Sequence, residues 1–179
     1  AQPNELGAVG SMVVDVAREG VAAVALDHDG DETMPLVTVK QMADHVLLGM
    51  PWHKSLGGDG RDLMSFIITI HELGKVDASH SITISAHTTL GTSPIFHFGT
   101  NAQRKKYVPI LASGKVLGGF GLTEPSAGSD AASTKTTAVR KNGHYILNGS
   151  KIFITHAGVG EVFVITAVTD PGQGTDGST

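Results

Sequence analysis

The chain has 179 residues, of which 40% are hydrophobic and 17% are charged, and its formal net charge is −4 at pH 7. This composition predicts a packed globular core and argues against extended disorder. The densest basic cluster is Arg104, Lys105 and Lys106 on a predicted helix, so nucleic-acid binding is disfavoured. The absence of cysteine excludes disulfides, zinc–thiolate sites and a thiol nucleophile.

The first apolar stretch, residues 12–26, predicts an amphipathic helix whose apolar stripe consists of Val13, Val16, Ala17, Val21, Val24 and Ala25. Charged residues interrupt this stretch, which argues against a signal peptide or a membrane span. A cytoplasmic protein without a membrane span is therefore expected.

Two further helices are predicted downstream of this stretch. Residues 37–48 form the first, which ends at Gly49 because Pro51 makes continuation unfavourable. Residues 63–76 form a second, largely buried helix. Its predicted core side consists of Phe66, Ile67, Ile70 and Leu73.

Residues 81–98 predict another helix, which Gly91 and Pro94 must break or kink. The next helix has a clear start, because Thr100 can cap it and Gln103, three residues later, can complete a capping box.

Beyond this last helix the apolar period shortens to that of strands. Residues 116–122 are apolar and rich in glycine, and residues 136–140 and 144–147 predict a β-hairpin. The Lys-Asn-Gly sequence between the latter two favours a tight turn with positive φ. Residues 151–155 and 162–168 predict two more strands. Helices followed by antiparallel strands indicate the α+β class.

Residues 120–134, FGLTEPSAGSDAAST, combine turn formers with the carboxylates Glu124 and Asp130. Composition alone favours an ordinary β-turn with an Asx motif. The alternative is a backbone cradle for a large ligand. Ser126, Ala127 and Gly128 are small enough for a ligand to approach the backbone, and Gly128 can adopt positive φ in an anion-binding nest. Both carboxylates are expected to face away from a phosphate, pairing with a lysine or arginine or holding the turn through backbone N–H groups.

The segment FGLTEPSAGSDAASTKTTAV, followed by GHYILNGSKIFIT, closely resembles the acyl-CoA dehydrogenase family, especially its bacterial short-chain (butyryl-CoA type) members. Upstream, LLGMPW, LGGDG, HELGKVDASHSITISAHTTLGTSPI and FGTNAQRKKYVPILASGK match the family's helical domain in order and spacing. The resemblance covers residues 12–171. It implies an N-terminal all-α domain, residues 1–116, followed by the first part of an antiparallel β-barrel-like middle domain, residues 117–179.

The resemblance also implies a function, namely FAD-dependent conversion of acyl-CoA thioesters to trans-2-enoyl-CoA within fatty acid β-oxidation. In the family a carboxylate takes the α proton, flavin N5 takes the β hydride, and an electron-transfer flavoprotein reoxidises the flavin. The family's base lies in a C-terminal domain, beyond residue 179 in this numbering. The chain is therefore expected to be a fragment that lacks the base and has little activity alone. The full-length protein is expected to form a homotetramer.

The resemblance assigns residues to two flavin-binding segments and to an acyl pocket. The cofactor-binding residues that it implies are Phe120, Leu122, Thr123, Ser129, Phe153, Ile154 and Thr155. The acyl-CoA-binding residues that it implies are Ser129, Thr83, Ala86 and Leu90. A strand hydroxyl bonded to backbone is the alternative for Thr155, and a plain core helix is the alternative for the pocket residues.

Other functions find less support in the residues themselves. A non-catalytic flavin- or acyl-CoA-binding module stays open, whereas a hydrolase using the GSD serine lacks a GxSxG elbow. His71 and Glu72 resemble the start of a zinc HExxH motif, but Lys75 occupies the second histidine position, so a zinc site is not predicted. His80 and His87 have a spacing that is compatible with metal binding, although satisfied structural histidines are favoured.

Overall fold

The computed structural model describes residues 3–170 and residue 172, which form a helical N-terminal part followed by short strands. This order confirms the predicted fold class. The α-helices are α1 (Pro3–Val16), α2 (Ala22–Gly30), α3 (Leu36–Asp44), α4 (Leu63–Gly74), α5 (Ala78–Ser85), α6 (Ser93–Phe98) and α7 (Asn101–Ala112). The strands are β1 (Gly118–Gly121), β2 (Thr137–Lys141), β3 (His144–Asn148) and β4 (Val162–Ile165).

The first long helix forms as predicted. It consists of α1 and α2, which are joined without a loop by a π-helical segment, Ala17–Val21. Val13, Ala17 and Val21 are buried and Val16, Val24 and Ala25 are half-buried, so the predicted stripe is the side that faces the core. Helix α1 packs on α4, and α4 packs on α5. The main core therefore lies among these helices.

Two details of the next helices differ from the sequence predictions. Helix α3 ends at Asp44, and Val46 then adopts a left-handed φ of 59°, before a 3-10 turn at Leu47–Gly49. In α4, Phe66 and Leu73 are buried, but Ile67 is 50% exposed. Ile67 follows Phe66 by one residue, which is about 100° around the helix, so it lies outside the buried stripe.

The helix predicted at residues 81–98 runs from α5 into α6 through a π-helical segment, Ala86–Thr92. Gly91 lies within that segment, and Pro94 lies in the first turn of α6, where its missing N–H is tolerated. The predicted capping box at α7 is confirmed, since the Gln103 N–H donates to Thr100 Oγ1 at 3.3 Å and the Thr100 N–H donates to Gln103 Oε1 at 2.7 Å.

The hairpin of β2 and β3 is antiparallel as predicted, and its turn has positive φ at Asn142 and Gly143. Strands β1 and β4 instead pair in parallel, which the antiparallel prediction did not include. The strand predicted at residues 151–155 is wrong. Phe153 has a left-handed φ of 56°, which an extended strand cannot accommodate.

The helical part and the strands meet where β1 lies on the π-helical segment Ala86–Thr92. A Cβ added to Gly91 would lie only 2.6 Å from the carbonyl carbon of Gly118, so glycine is required for this close backbone approach. Among the helices of the described residues, none is both long and apolar enough to cross a bilayer.

Candidate functional site

The loop after β1 is closed by backbone hydrogen bonds in both directions between Glu124 and Ala127, at 2.9 and 3.1 Å. Pro125 and Ser126 form the turn between them. Because this turn is completed before Gly128, no left-handed residue is needed there, and Gly128 is not among the positive-φ glycines. The alternative of an anion-binding nest with positive φ at Gly128 is therefore wrong.

Glu124 faces the protein interior and is 5% exposed. Its Oε1 accepts from Lys151 Nζ at 2.8 Å and from the Thr136 N–H at 3.0 Å, and its Oε2 accepts from the Lys135 N–H at 2.7 Å. These contacts confirm both predicted roles of Glu124, an ion pair with a lysine and a bond to the backbone.

Two opposing effects determine the pKa of Glu124. Burial alone raises the pKa of a carboxyl, but the Lys151 ammonium and the two N–H groups stabilise the ionised form. The net pKa of Glu124 is lowered from 4.5 to about 2. Glu124 is therefore a fixed anion at neutral pH and is poorly suited to accept a proton from a substrate.

Lys151 joins the loop after β1 to the segment that carries the second predicted flavin contacts. Its Nζ also donates to the Leu122 carbonyl at 2.9 Å and to Thr166 Oγ1 at 3.2 Å. The next residue continues this attachment, because the Ile152 N–H donates to the Thr123 carbonyl at 2.9 Å. The two segments predicted to hold the flavin are therefore adjacent.

A second contact brings the far end of that segment close to β1. A Cβ added to Gly119 would lie 2.8 Å from the Thr155 carbonyl oxygen, so the Thr155 backbone occupies the space beside Gly119. Phe153, between the two contacts, turns outward and is 89% exposed. Ile154 is half-buried and Thr155 is exposed.

The remaining predicted cofactor residues have mixed exposure. Phe120, Leu122 and Thr123 are half-buried along and just after β1, and Ser129 is exposed in the loop. Asp130 accepts a hydrogen bond from the Ser133 hydroxyl, so its carboxylate is used within the loop. The structure thus places β1, its loop and the outward Phe153 side by side.

The predicted acyl-pocket residues do not share one open surface. Thr83 and Ala86 are buried, whereas Leu90 is 45% exposed. An apolar groove of about 570 Å³ lies instead where α6 and α7 meet β4. The sequence did not predict this groove because elements distant in the chain form its walls, which include Pro94, Ile95, Phe98, Tyr107, Val162 and Val164.

The histidines singled out by spacing have structural partners. His80 bonds Asp77 Oδ2 through Nδ1 at 2.5 Å and Thr38 Oγ1 through Nε2 at 2.6 Å. His71 contacts Glu72, which pairs with Lys75 at 2.7 Å. Within residues 3–170 and 172, no three His, Asp or Glu side chains are grouped so that they could hold a metal.

Comparison with known proteins is consistent with the motifs. A family model described as acyl-CoA dehydrogenase, N-terminal domain, matches residues 3–115, and one described as acyl-CoA dehydrogenase, middle domain, matches residues 119–179. An acyl-CoA dehydrogenase of Bacillus subtilis (strain 168) is 46% identical over 93% of this chain. A short-chain-specific acyl-CoA dehydrogenase of Clostridium acetobutylicum is 44% identical over 94% of it. The chain spans only 44% and 45% of these relatives' own lengths.

Solved structures share the fold. One from a study of the electron-transferring flavoprotein of Acidaminococcus fermentans superposes with a TM-score of 0.96 at 38% identity, covering 99% of this chain and 47% of that one. An acyl-CoA dehydrogenase complexed with FAD from Bacillus anthracis superposes with a TM-score of 0.85 at 33% identity, covering 93% of this chain and 29% of that one.

Proposed function

This chain belongs to the acyl-CoA dehydrogenase family, and on that premise we propose that it supplies the flavin-holding part of an FAD-dependent acyl-CoA dehydrogenase. The observation that carries the proposal is the 2.9 Å hydrogen bond from the Ile152 N–H to the Thr123 carbonyl. That bond brings together two segments, residues 120–123 and 153–155, which are separated along the chain.

The side chains at this junction have the chemistry that a flavin requires. Phe153 is 89% exposed and so offers an aromatic face for stacking. Thr123 and Thr155 supply hydroxyl donors in the same two segments, and donors of this kind stabilise the negative charge of a reduced flavin. The other proposed contacts are Phe120, Leu122 and Ile154 along the ring and Ser129 near the pyrophosphate and the thioester arm.

Several whole-protein properties belong to this proposal. When bound, FAD supplies the hydride-accepting centre, and the chain's own residues hold and orient it. Similarity to a short-chain-specific enzyme supports short acyl-CoA thioesters as substrates. The structure from the flavoprotein study supports an electron-transfer flavoprotein as the acceptor partner. Division into residues 1–116 and 117–179 and assembly into a homotetramer are also proposed.

A second function is flavin or acyl-CoA binding without chemistry, and Glu124, the buried carboxylate beside the proposed flavin contacts, supplies no base for either function. That carboxylate lies in the loop beside the proposed flavin contacts, but Lys151 and two backbone N–H groups already occupy it. A group held as an anion by such bonds does not act as the base for a weakly acidic α proton.

One experiment with two arms separates these functions. The chain is purified with excess FAD, desalted, and inspected for a visible flavin band, which both functions predict. A chimera then places these residues in the Bacillus subtilis relative, whose remaining sequence is intact. If these residues belong to a dehydrogenase, butyryl-CoA added under anaerobic conditions bleaches the flavin band of the chimera. It does not bleach the flavin band of the chain alone. A colourless chain refutes flavin binding, whereas a yellow chimera that does not bleach supports binding without chemistry.

A further inference from the structure

Gly118, the first residue of β1, has both of its backbone polar groups bound by imidazoles. Its N–H donates to His87 Nδ1 at 3.0 Å, and its carbonyl accepts from His156 Nδ1 at 2.8 Å. All three residues are buried, and His87 is fully so. One peptide position is therefore fixed by two side chains that come from the helical part and from the segment after Thr155.

The two imidazoles lie on the edge of β1 that faces away from β4. The Leu117 and Gly121 carbonyls accept hydrogen bonds from the Val162 and Thr166 N–H groups, so the odd-numbered residues of β1 face β4. Backbone polar groups alternate sides along a strand, and Gly118 therefore faces the opposite edge. At that edge the histidines satisfy the groups that a neighbouring strand would otherwise bind.

The hydrogen bonds determine the tautomer of each ring. His87 accepts at Nδ1 and donates its Nε2 proton to the Leu111 carbonyl at 3.0 Å, so it is neutral and also attaches α7 to this position. His156 donates from Nδ1. Its Nε2 is buried and has no partner among the described residues, as expected for a neutral ring. Burial lowers the pKa of both histidines, which favours these neutral forms.

The backbone of His156 connects this position to the proposed flavin site. His156 follows Thr155 directly and adopts a left-handed φ of 67°, and its side chain is buried whereas that of Phe153 is 89% exposed. Only one residue separates Gly118 from Phe120. A displacement of Gly118 would therefore also displace residues 120–123, through Gly119, and residues 153–155, through His156.

We propose that His87 and His156 are positioning residues that clamp Gly118 and so set the placement of residues 120–123 against residues 153–155. The functional consequence, correct presentation of the flavin contacts, rests on the proposed function. The clamp itself is a property of the protein without ligand, and it can be tested without ligand.

The test uses NMR of the isotope-labelled chain and three variants. His156→Asn keeps a donor, because Asn Nδ2 is bonded to Cγ as His Nδ1 is, and Asn tolerates left-handed φ. His156→Leu removes the donor. His144→Leu is the matched control, since His144 is exposed on β3.

We expect long-range nitrogen spectra of the parent chain to show His87 protonated at Nε2 and His156 at Nδ1, with a scalar coupling between Gly118 N and His87 Nδ1. We expect His156→Leu to move the amide signals of residues 120–123, and His156→Asn and His144→Leu to leave them in place. The opposite tautomers, or amide signals that His156→Leu leaves unmoved, would overturn the clamp. If His156→Leu does not fold, the tautomers, the scalar coupling and the His156→Asn variant still test the clamp. Movement of the amide signals of residues 120–123 in His156→Asn would also overturn the clamp.

FAD affinity gives the functional readout. We expect His156→Leu to bind FAD at least about tenfold more weakly than the parent, a loss of about 1.4 kcal/mol, and His156→Asn to bind within about threefold of it. Equal affinity in all variants overturns the positioning role. If the parent binds no FAD, the proposed function fails, while the tautomers, the coupling and the amide shifts still confirm or refute the clamp.

Discussion

The buried ion pair of Lys151 and Glu124 predicts a large loss of stability in Lys151→Met. The methionine keeps most of the side-chain volume but leaves the Glu124 carboxylate buried without its ammonium partner. Glu124 has a pKa of about 2 against an ordinary 4.5, which corresponds to roughly 3 kcal/mol of folding free energy held by its ionised form. Breaking a buried pair on one side typically costs about 3–5 kcal/mol. We therefore expect Lys151→Met to lower the unfolding free energy at neutral pH by about 3 kcal/mol.

A double-mutant cycle measured by urea denaturation isolates the pair. Lys151→Met, Glu124→Gln and the double variant should give a coupling energy of about 2 kcal/mol, because the two side chains are 9% and 4% exposed. The matched control is the i,i+4 pair of Lys40 and Asp44, whose side chains are 75% and 64% exposed. Its coupling should stay below about 0.5 kcal/mol. Equal coupling energies in the two pairs would show that burial does not strengthen the pair of Lys151 and Glu124.

The pH dependence of the same variant has a defined sign. Because the folded pKa of Glu124 lies below its ordinary value, its stabilisation is fully present above about pH 4.5 and is lost as pH falls towards 2. Removal of the ammonium raises the folded pKa of Glu124, so the stability gap between wild type and Lys151→Met should narrow on acidification from neutral pH. Other titrating groups, such as His87, change both proteins alike. A gap that widens as pH falls would contradict the assignment.

Two further predictions concern the helical part. Thr100→Ala removes the capping box of α7 and should lower the unfolding free energy by about 1 kcal/mol in urea denaturation, whereas an unchanged value would show that the cap contributes nothing. Gly49→Ala should destabilise by about 1–3 kcal/mol, because its Cβ would lie 2.2 Å from the Ala112 carbonyl oxygen. Gly7→Ala is the control, because the space around a new Cβ at this helical position is open. Its stability in thermal denaturation should equal or exceed that of the wild type. A loss of stability equal to that of Gly49→Ala would show that the short contact with Ala112 is not the cause.

The features that the sequence predicted correctly depend mainly on nearby residues. The capping box needs only Thr100 and Gln103, and the hairpin turn needs only Asn142 and Gly143. The predicted pairing of Glu124 followed from charge, because a carboxylate that would be repelled by a phosphate is expected to face away from it and bond a cation or a backbone N–H. The sequence could not identify that partner as Lys151, since 27 positions separate the two residues.

The features that the sequence did not predict depend on contacts between distant elements. The stretch around Phe153 has the composition of a strand, but Lys151 turns inward to Glu124 and Phe153 adopts positive φ. The parallel pairing of β1 with β4 depends on a long connection between them, which contains the hairpin of β2 and β3. The hydrogen bond between His87 and Gly118 joins residues 31 positions apart, which helical periodicity alone cannot indicate.

Amide chemical-shift mapping shows whether residues 120–123 and 153–155 together hold an isoalloxazine ring, on which the proposed function depends. The labelled chain is titrated with FAD and, separately, with adenosine diphosphate, which shares the pyrophosphate and adenosine but lacks the ring. We expect the amide signals of both segments to move together, with a single dissociation constant, in the FAD titration only. Signals that stay in place with FAD, or move equally with adenosine diphosphate, would contradict the proposed flavin site.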